Sequence, residues 1–272
     1  MSNFLQRAIT GVIFVIVLLG SISYGAASFT LLFSLVTVLG VWEFFKLSNS
    51  VDIYPQRILI TIVSGIFFLL TSLVCSSVLD LKYMIIVLPL IFLPFLIELY
   101  SKSDTPFTNI AFGLLGFFYV AVPFGFLNIL AFYPSYDGQY TSHIVLGSFF
   151  ILWASDTGAY LSGRTLGKHK LFERISPKKT WEGSIGGAIV SCGAAAIVSI
   201  FFNELTMIQW IIVSIIIVIT GTMGDLVESM FKRSINVKDS GSILPGHGGI
   251  LDRFDGLLIS VPFVVAYLLL FK

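Results

Sequence analysis

Five stretches of this chain carry no charged side chain: residues 8–42, 58–79, 106–136, 183–203 and 205–224. About 20 apolar helical residues cross the hydrocarbon layer of a bilayer, and inside it the backbone polar groups must be satisfied within the segment itself. A soluble core that hid this much Phe and Ile would need far more polar surface than a chain with 11% charged residues supplies, since soluble domains carry roughly 25%. The expected fold class is therefore an all-α integral membrane protein, a polytopic helix bundle forming one transmembrane domain over residues 1–272.

Nine spans are expected, at about residues 8–24, 26–45, 58–79, 83–99, 110–132, 144–162, 184–202, 207–226 and 256–271. The fourth contains Pro89 and Pro94, which blur its ends. The opening run has some features of a signal peptide, but a second apolar run follows at once, so it reads as an uncleaved first span. No internal repeat is visible, which argues against an inverted-repeat transporter. Cys75 and Cys192 sit inside apolar runs without metal-ligand spacing and read as small packing residues.

The distribution of cations tests the span count independently. If the spans alternate, one face receives Arg7, Lys46, Arg57, Lys102, the cluster Arg164, Lys168, Lys170, Arg174, Lys178 and Lys179, and the cluster Lys232, Arg233, Lys238 and Arg253. Of 16 Lys and Arg residues, only Lys82 and Lys272 fall on the other face. A miscount by one internal span would scatter the two clusters. The expected topology has a cytoplasmic N-terminus, an outward C-terminus and both charged loops, at about 163–183 and 227–256, on the cytoplasmic side. Residues 1–142 supply the N-terminal spans and 143–272 the half that carries chemistry. With a net charge of +1 there is no electrostatic case for a nucleic-acid partner.

Residues 224–255 concentrate polar chemistry at the membrane edge: Asp225, Glu228, Asp239, Asp252 and Asp255 beside Lys232, Arg233, Lys238 and Arg253, with Gly248 and Gly249 next to His247. Asp225, Ser229 and Lys232 fall at helical spacing on one stripe. Asp225 alone would read as a helix-end anchor paired with Arg233, but four further carboxylates nearby favour a polar site. Gly248 and Gly249 permit close backbone approach to an anion, with N–H groups as donors. His247 reads equally as a structural histidine or as a phosphate contact. Asp252 and Asp255, three apart, share a face at the start of the last span and, with Asp225, offer hard oxygens of the kind Mg²⁺ takes.

The earlier loop has Asp156 within an apolar run, where an ionisable side chain is functional by default. The run Ser176-Pro-Lys-Lys-Thr-Trp-Glu-Gly183 reads as a helix start with Ser176 as cap. A juxtamembrane basic cluster commonly grips lipid headgroups; here the cations alternate with Gly, Ser and Thr, more like a phosphate-binding surface. Neither GxxxxGK[ST] nor HExxH is present.

The pattern Ser229-x-x-Lys232-Arg233, Lys238-Asp239-x-Gly241, Leu244-Pro245-x-His247-Gly248-Gly249-Ile250-x-Asp252-Arg253-Phe254-Asp255 resembles the signature of the phosphatidate cytidylyltransferases, or CDP-diacylglycerol synthases. Asp156-x-Gly158-Ala159-Tyr160 and the 176–183 run resemble the same family's preceding segment. The likeness in motifs covers about residues 153–255. It implies a reaction of CTP with phosphatidic acid in the bilayer, giving CDP-diacylglycerol and pyrophosphate. It also implies Mg²⁺ on Asp225 and Asp252 with Asp255 nearby, a second, monovalent cation such as K⁺, and a homodimer. Lys232, Arg233, Lys238, Asp239 and Arg253 are the expected catalytic residues. Lys178, Lys179, Ser229, His247, Gly248, Gly249 and Asp156 are expected to bind substrate, with lipid phosphate and nucleotide both open as partners of the two lysines. The expected location is the plasma (inner) membrane, with the site facing the cytoplasm. An alcohol phosphatidyltransferase would show Asp-Gly-x-x-Ala-Arg, which is absent, and a channel or transporter would place its charge within the spans.

Overall fold

The computed structural model of the chain describes residues 3–48, 52–134, 138–237, 240–241, 246 and 248–271. Among them are nine helical segments long and apolar enough to cross a membrane, matching the nine expected spans one for one. In order, the elements are α1 (Asn3–Tyr24), α2 (Ala26–Ser48), α3 (Arg57–Cys75), α4 (Val87–Glu98), α5 (Pro106–Gly116), α6 (Val122–Ala131) and α7 (His143–Leu166). A two-stranded hairpin follows, β1 (Lys170–Phe172) and β2 (Ser176–Thr180), and then α8 (Trp181–Phe201), α9 (Met207–Ser234) and α10 (Leu251–Leu270). Proline shapes the irregular spans. The fourth begins as a 3₁₀ turn (Leu81–Ile86) and becomes α-helical only at Val87. The fifth is α5 and α6 joined by a π turn (Phe117–Ala121) just before Pro123. A proline ring collides with the carbonyl four residues earlier, and one wider turn relieves that collision.

The chain forms two compact units, residues 1–141 with 235–253, and residues 142–234 with 254–272. In the first unit, aromatic rings press on glycines. A Cβ at Gly116 would stand 2.7 Å from Phe45 Cε1 and 2.9 Å from Phe44 Cδ1. Glu98, only 4% exposed, accepts from Gln56 Nε2 at 2.6 Å and from Asn109 Nδ2 at 2.8 Å. In the second unit the fully buried Trp210 ring lies over Gly147, and its indole N–H donates to the Phe202 carbonyl at 3.1 Å. Cys75 and Cys192 are both half-buried free thiols on α3 and α8.

Two local expectations are corrected. Ser176 does not cap the eighth element; it opens β2. The cap is Thr180, whose hydroxyl accepts the Gly183 N–H at 3.1 Å. The hairpin is anchored by Glu182, which accepts the backbone N–H groups of Lys168 (3.0 Å) and His169 (3.2 Å) and contacts His169 Nδ1 at 2.6 Å. The eighth span, expected to end near Leu226, also runs on as helix to Ser234, carrying the polar stretch 225–233.

Candidate active site

In the second unit, five of the expected residues lie near one another: Asp156, Lys179, Asp225, Ser229 and Asp255. Asp225 on α9 accepts from Ser229 Oγ at 3.2 Å, as one helical turn allows, and its other oxygen lies 2.6 Å from Lys179 Nζ on β2. The Asp225 carboxylate therefore takes Lys179 as its cation, a partner the sequence reading did not name. Lys179 also donates to the Thr222 carbonyl at 3.3 Å, a second hold on the same turn of α9. Successive residues of a strand face opposite ways, so Lys178, its neighbour on β2, is exposed while Lys179 is half-buried. Asp156 on α7 and Asp255 on α10 lie close enough to Asp225 to repel it, and Lys179 close enough to attract both. Lys179 thus pairs directly with Asp225 and lies in the electrostatic neighbourhood of Asp156 and Asp255.

Because α9 is continuous through Ser234, Lys232 lies on the same stripe as Asp225 and Ser229. Its Nζ lies 2.5 Å from Glu228, a side chain with 2% exposure one turn back on the same helix. Arg233 is exposed at the end of α9.

In the first unit, Asp252 accepts N–H groups from Ser240 at 3.0 Å and Gly249 at 2.8 Å. Gly248 sits at φ +85°, a left-handed conformation, and a Cβ there would collide with the Asp252 carboxylate. These glycines let the loop fold back onto its own carboxylate, and the Gly249 amide is already engaged. Arg253 is exposed beside them. Lys238, Asp239 and His247 lie outside the described residues. Asp225 belongs to one unit and Asp252 to the other.

The residues of the second unit suit Mg²⁺. Like charges gathered around a single ammonium are relieved by a cation, and hard carboxylate oxygens match this one. Among the described residues no three His, Cys, Asp or Glu side chains close around an ion by themselves. Mg²⁺ usually takes one or two carboxylates and fills its remaining positions with water and phosphate oxygens.

Sequence reasoning missed Glu43, Ser240, Thr180 and Glu182 as parts of the framework of these two loops. For Glu43 a signal existed, since it interrupts a long apolar stretch within the second span.

The sequence profile described as the cytidylyltransferase family matches residues 5–271. Phosphatidate cytidylyltransferase of Staphylococcus haemolyticus is 48% identical over 164 residues, covering 60% of this chain and 60% of that protein. The enzyme of the same name from Staphylococcus aureus strain COL is 44% identical over 164 residues, with the same coverage. The chain thus spans about 60% of the length of these curated relatives in the matched region.

Proposed function

The chain belongs to the cytidylyltransferase family, and from that we propose that it transfers the cytidylyl group of CTP to phosphatidic acid. The phosphate oxygen of phosphatidic acid forms a bond to the α-phosphorus of CTP, the bond from that phosphorus to the β-phosphate oxygen breaks, and pyrophosphate leaves. The observation that carries this reading is the cluster of Asp156, Asp225 and Asp255 around Lys179.

The attacking phosphate is already anionic near neutral pH, so no strong base is needed. The work left to the protein is alignment and charge neutralisation. Mg²⁺ bound at this cluster supplies positive charge against the triphosphate and the departing pyrophosphate. Asp225 is the proposed principal ligand, held in place by Lys179 and Ser229. The resemblance also assigns Asp252 to the metal; its carboxylate accepts the Ser240 and Gly249 amides. Arg233 and Arg253, both exposed, are suited to bidentate phosphate contacts, and Lys178 presents a point charge on the outer face of the hairpin. We place the N-terminus and both charged loops on the cytoplasmic side of the plasma membrane, where the cation asymmetry puts them. A monovalent second cation and a homodimer belong to the same reading.

The test uses protein in detergent micelles with phosphatidic acid, Mg²⁺ and CTP labelled at either the α- or the γ-phosphate. Label from the α position is expected in the extracted lipid, and label from the γ position in the aqueous phase as pyrophosphate. Chelation of Mg²⁺ by EDTA is expected to remove the lipid label, and excess Mg²⁺ to restore it. Transfer of γ-label to lipid would mean a kinase, and no transfer of either label would end the proposal.

A further inference from the structure

Glu43 lies in the second span, remote in sequence from every residue assigned above, and is 2% exposed. Burying a carboxylate is costly unless its oxygens are hydrogen-bonded, and those of Glu43 are taken up by one segment. Oε1 accepts the Ser240 hydroxyl and, at 3.0 Å, the Leu251 N–H; Oε2 accepts the Ile250 N–H at 2.9 Å. The loop is shaped around this carboxylate. A Cβ at Gly241 would stand 2.7 Å from Glu43 Oε2, and one at Gly249 would fall onto the carboxylate itself. One turn earlier on α2, a Cβ at Gly40 would touch Ile250 Cγ2 at 3.4 Å, so the helix backs the same segment by packing as well. Ser240 links this grip to Asp252: its hydroxyl donates to Glu43 and its amide to Asp252.

We propose that Glu43 is a positioning residue for cytidylyl transfer. By holding Ser240, Ile250 and Leu251, it sets the start of α10 and hence the placement of Asp252 and Arg253. The proposal rests on the reading that the 240–253 segment takes part in that reaction. A simple structural carboxylate would contribute to stability alone. A positioning one acts on turnover, because misplacing a catalytic group by about 1 Å costs on the order of 100-fold in rate.

Glu43→Gln tests it, because one acceptor oxygen becomes an NH₂ facing the N–H donors of the loop. Glu98→Gln is the control, a carboxylate comparably buried in the same unit that accepts hydrogen bonds from Gln56 and Asn109. For Glu43→Gln, kcat is expected to fall about 100-fold, with a much smaller change in KM for phosphatidic acid. Amide exchange at Ile250 and Leu251 is expected to accelerate, and Glu98→Gln to keep its kcat. Unchanged kcat in Glu43→Gln, equal losses in the two variants, or unchanged exchange at Ile250 and Leu251 would each overturn the proposal. Should Glu43→Gln fail to accumulate in the membrane, Ser240→Ala removes one donor to the same carboxylate. A fall in its kcat at unchanged melting temperature supports the proposal, and wild-type kcat overturns it. If the wild-type protein transfers no label, the cytidylyl-transfer reading fails by itself, and amide exchange alone still decides whether Glu43 holds the loop.

Discussion

Asp225→Asn is expected to reduce lipid labelling from CTP by about 10²–10³-fold while leaving membrane insertion intact. Asn keeps the size of Asp and can still accept one hydrogen bond, from Ser229 or from Lys179. What it loses is the charge, and with it the carboxylate proposed as principal Mg²⁺ ligand. The cost to folding is small, because the Asp225 side chain is 40% exposed and its ion pair with Lys179 is correspondingly screened. The melting temperature is expected to stay within about 4 °C of wild type. Mg²⁺ with CTP is expected to raise the melting temperature of the wild type and to leave that of Asp225→Asn unchanged. Lys179→Met is the complementary change: it removes the ammonium from beside the three carboxylates and releases Asp225 from its fixed orientation. Its loss of activity is expected to be milder and partly recovered at raised Mg²⁺. Wild-type turnover in Asp225→Asn would remove Asp225 from the metal assignment.

The contrast between Asp225 and Lys179 shows which parts of this molecule can be read from sequence. Hydropathy exposes all nine spans, because in lipid the length and polarity of a segment are nearly the whole constraint. The same signal stops at the membrane surface. It ends the eighth span near Leu226, and only the helical spacing of Asp225, Ser229 and Lys232 hints at the continuation of α9 to Ser234. It also missed the hairpin, whose strands of three and five residues, one containing Pro177, carry almost no propensity of their own. Strand alternation then sends Lys179, and not Lys178, toward Asp225, a distinction invisible while the run is taken for the beginning of a helix. Asp225 with Ser229 was legible because helical spacing is local. The contact between Glu43 and Ser240 joins residues 197 apart, and no local pattern announces it. The candidate chemistry was therefore visible as residue types, and what orients each residue became visible only in the fold.

The second large effect concerns how α7 and α8 are held together, because α7 carries Asp156 and the hairpin that ends in α8 carries Lys179. Gly183, Gly187, Ser191 and Ala195 recur every fourth residue on the buried face of α8. A Cβ at Gly187 would stand 2.8 Å from the Ser155 carbonyl oxygen and 3.1 Å from Ala159 Cβ, and one at Gly183 would stand 2.9 Å from the Ala159 carbonyl oxygen. Helices in lipid gain no hydrophobic energy by touching, so they associate through close packing of small residues. Backbone atoms cannot give way as a flexible side chain can. Gly187→Leu is therefore expected to push the two helices apart and cost about 3 kcal/mol. The Ser155 carbonyl it strikes is one residue from Asp156, so the carboxylate moves with it, and turnover is expected to fall by about 100-fold. Gly193→Leu, on the same helix with nothing within 4 Å of a built Cβ, is the control. Its stability is expected to stay within about 0.5 kcal/mol of wild type. Thermal unfolding and label transfer measured on both variants decide the matter. If Gly187→Leu melts and turns over like Gly193→Leu, the small-residue seam does not set the position of Asp156.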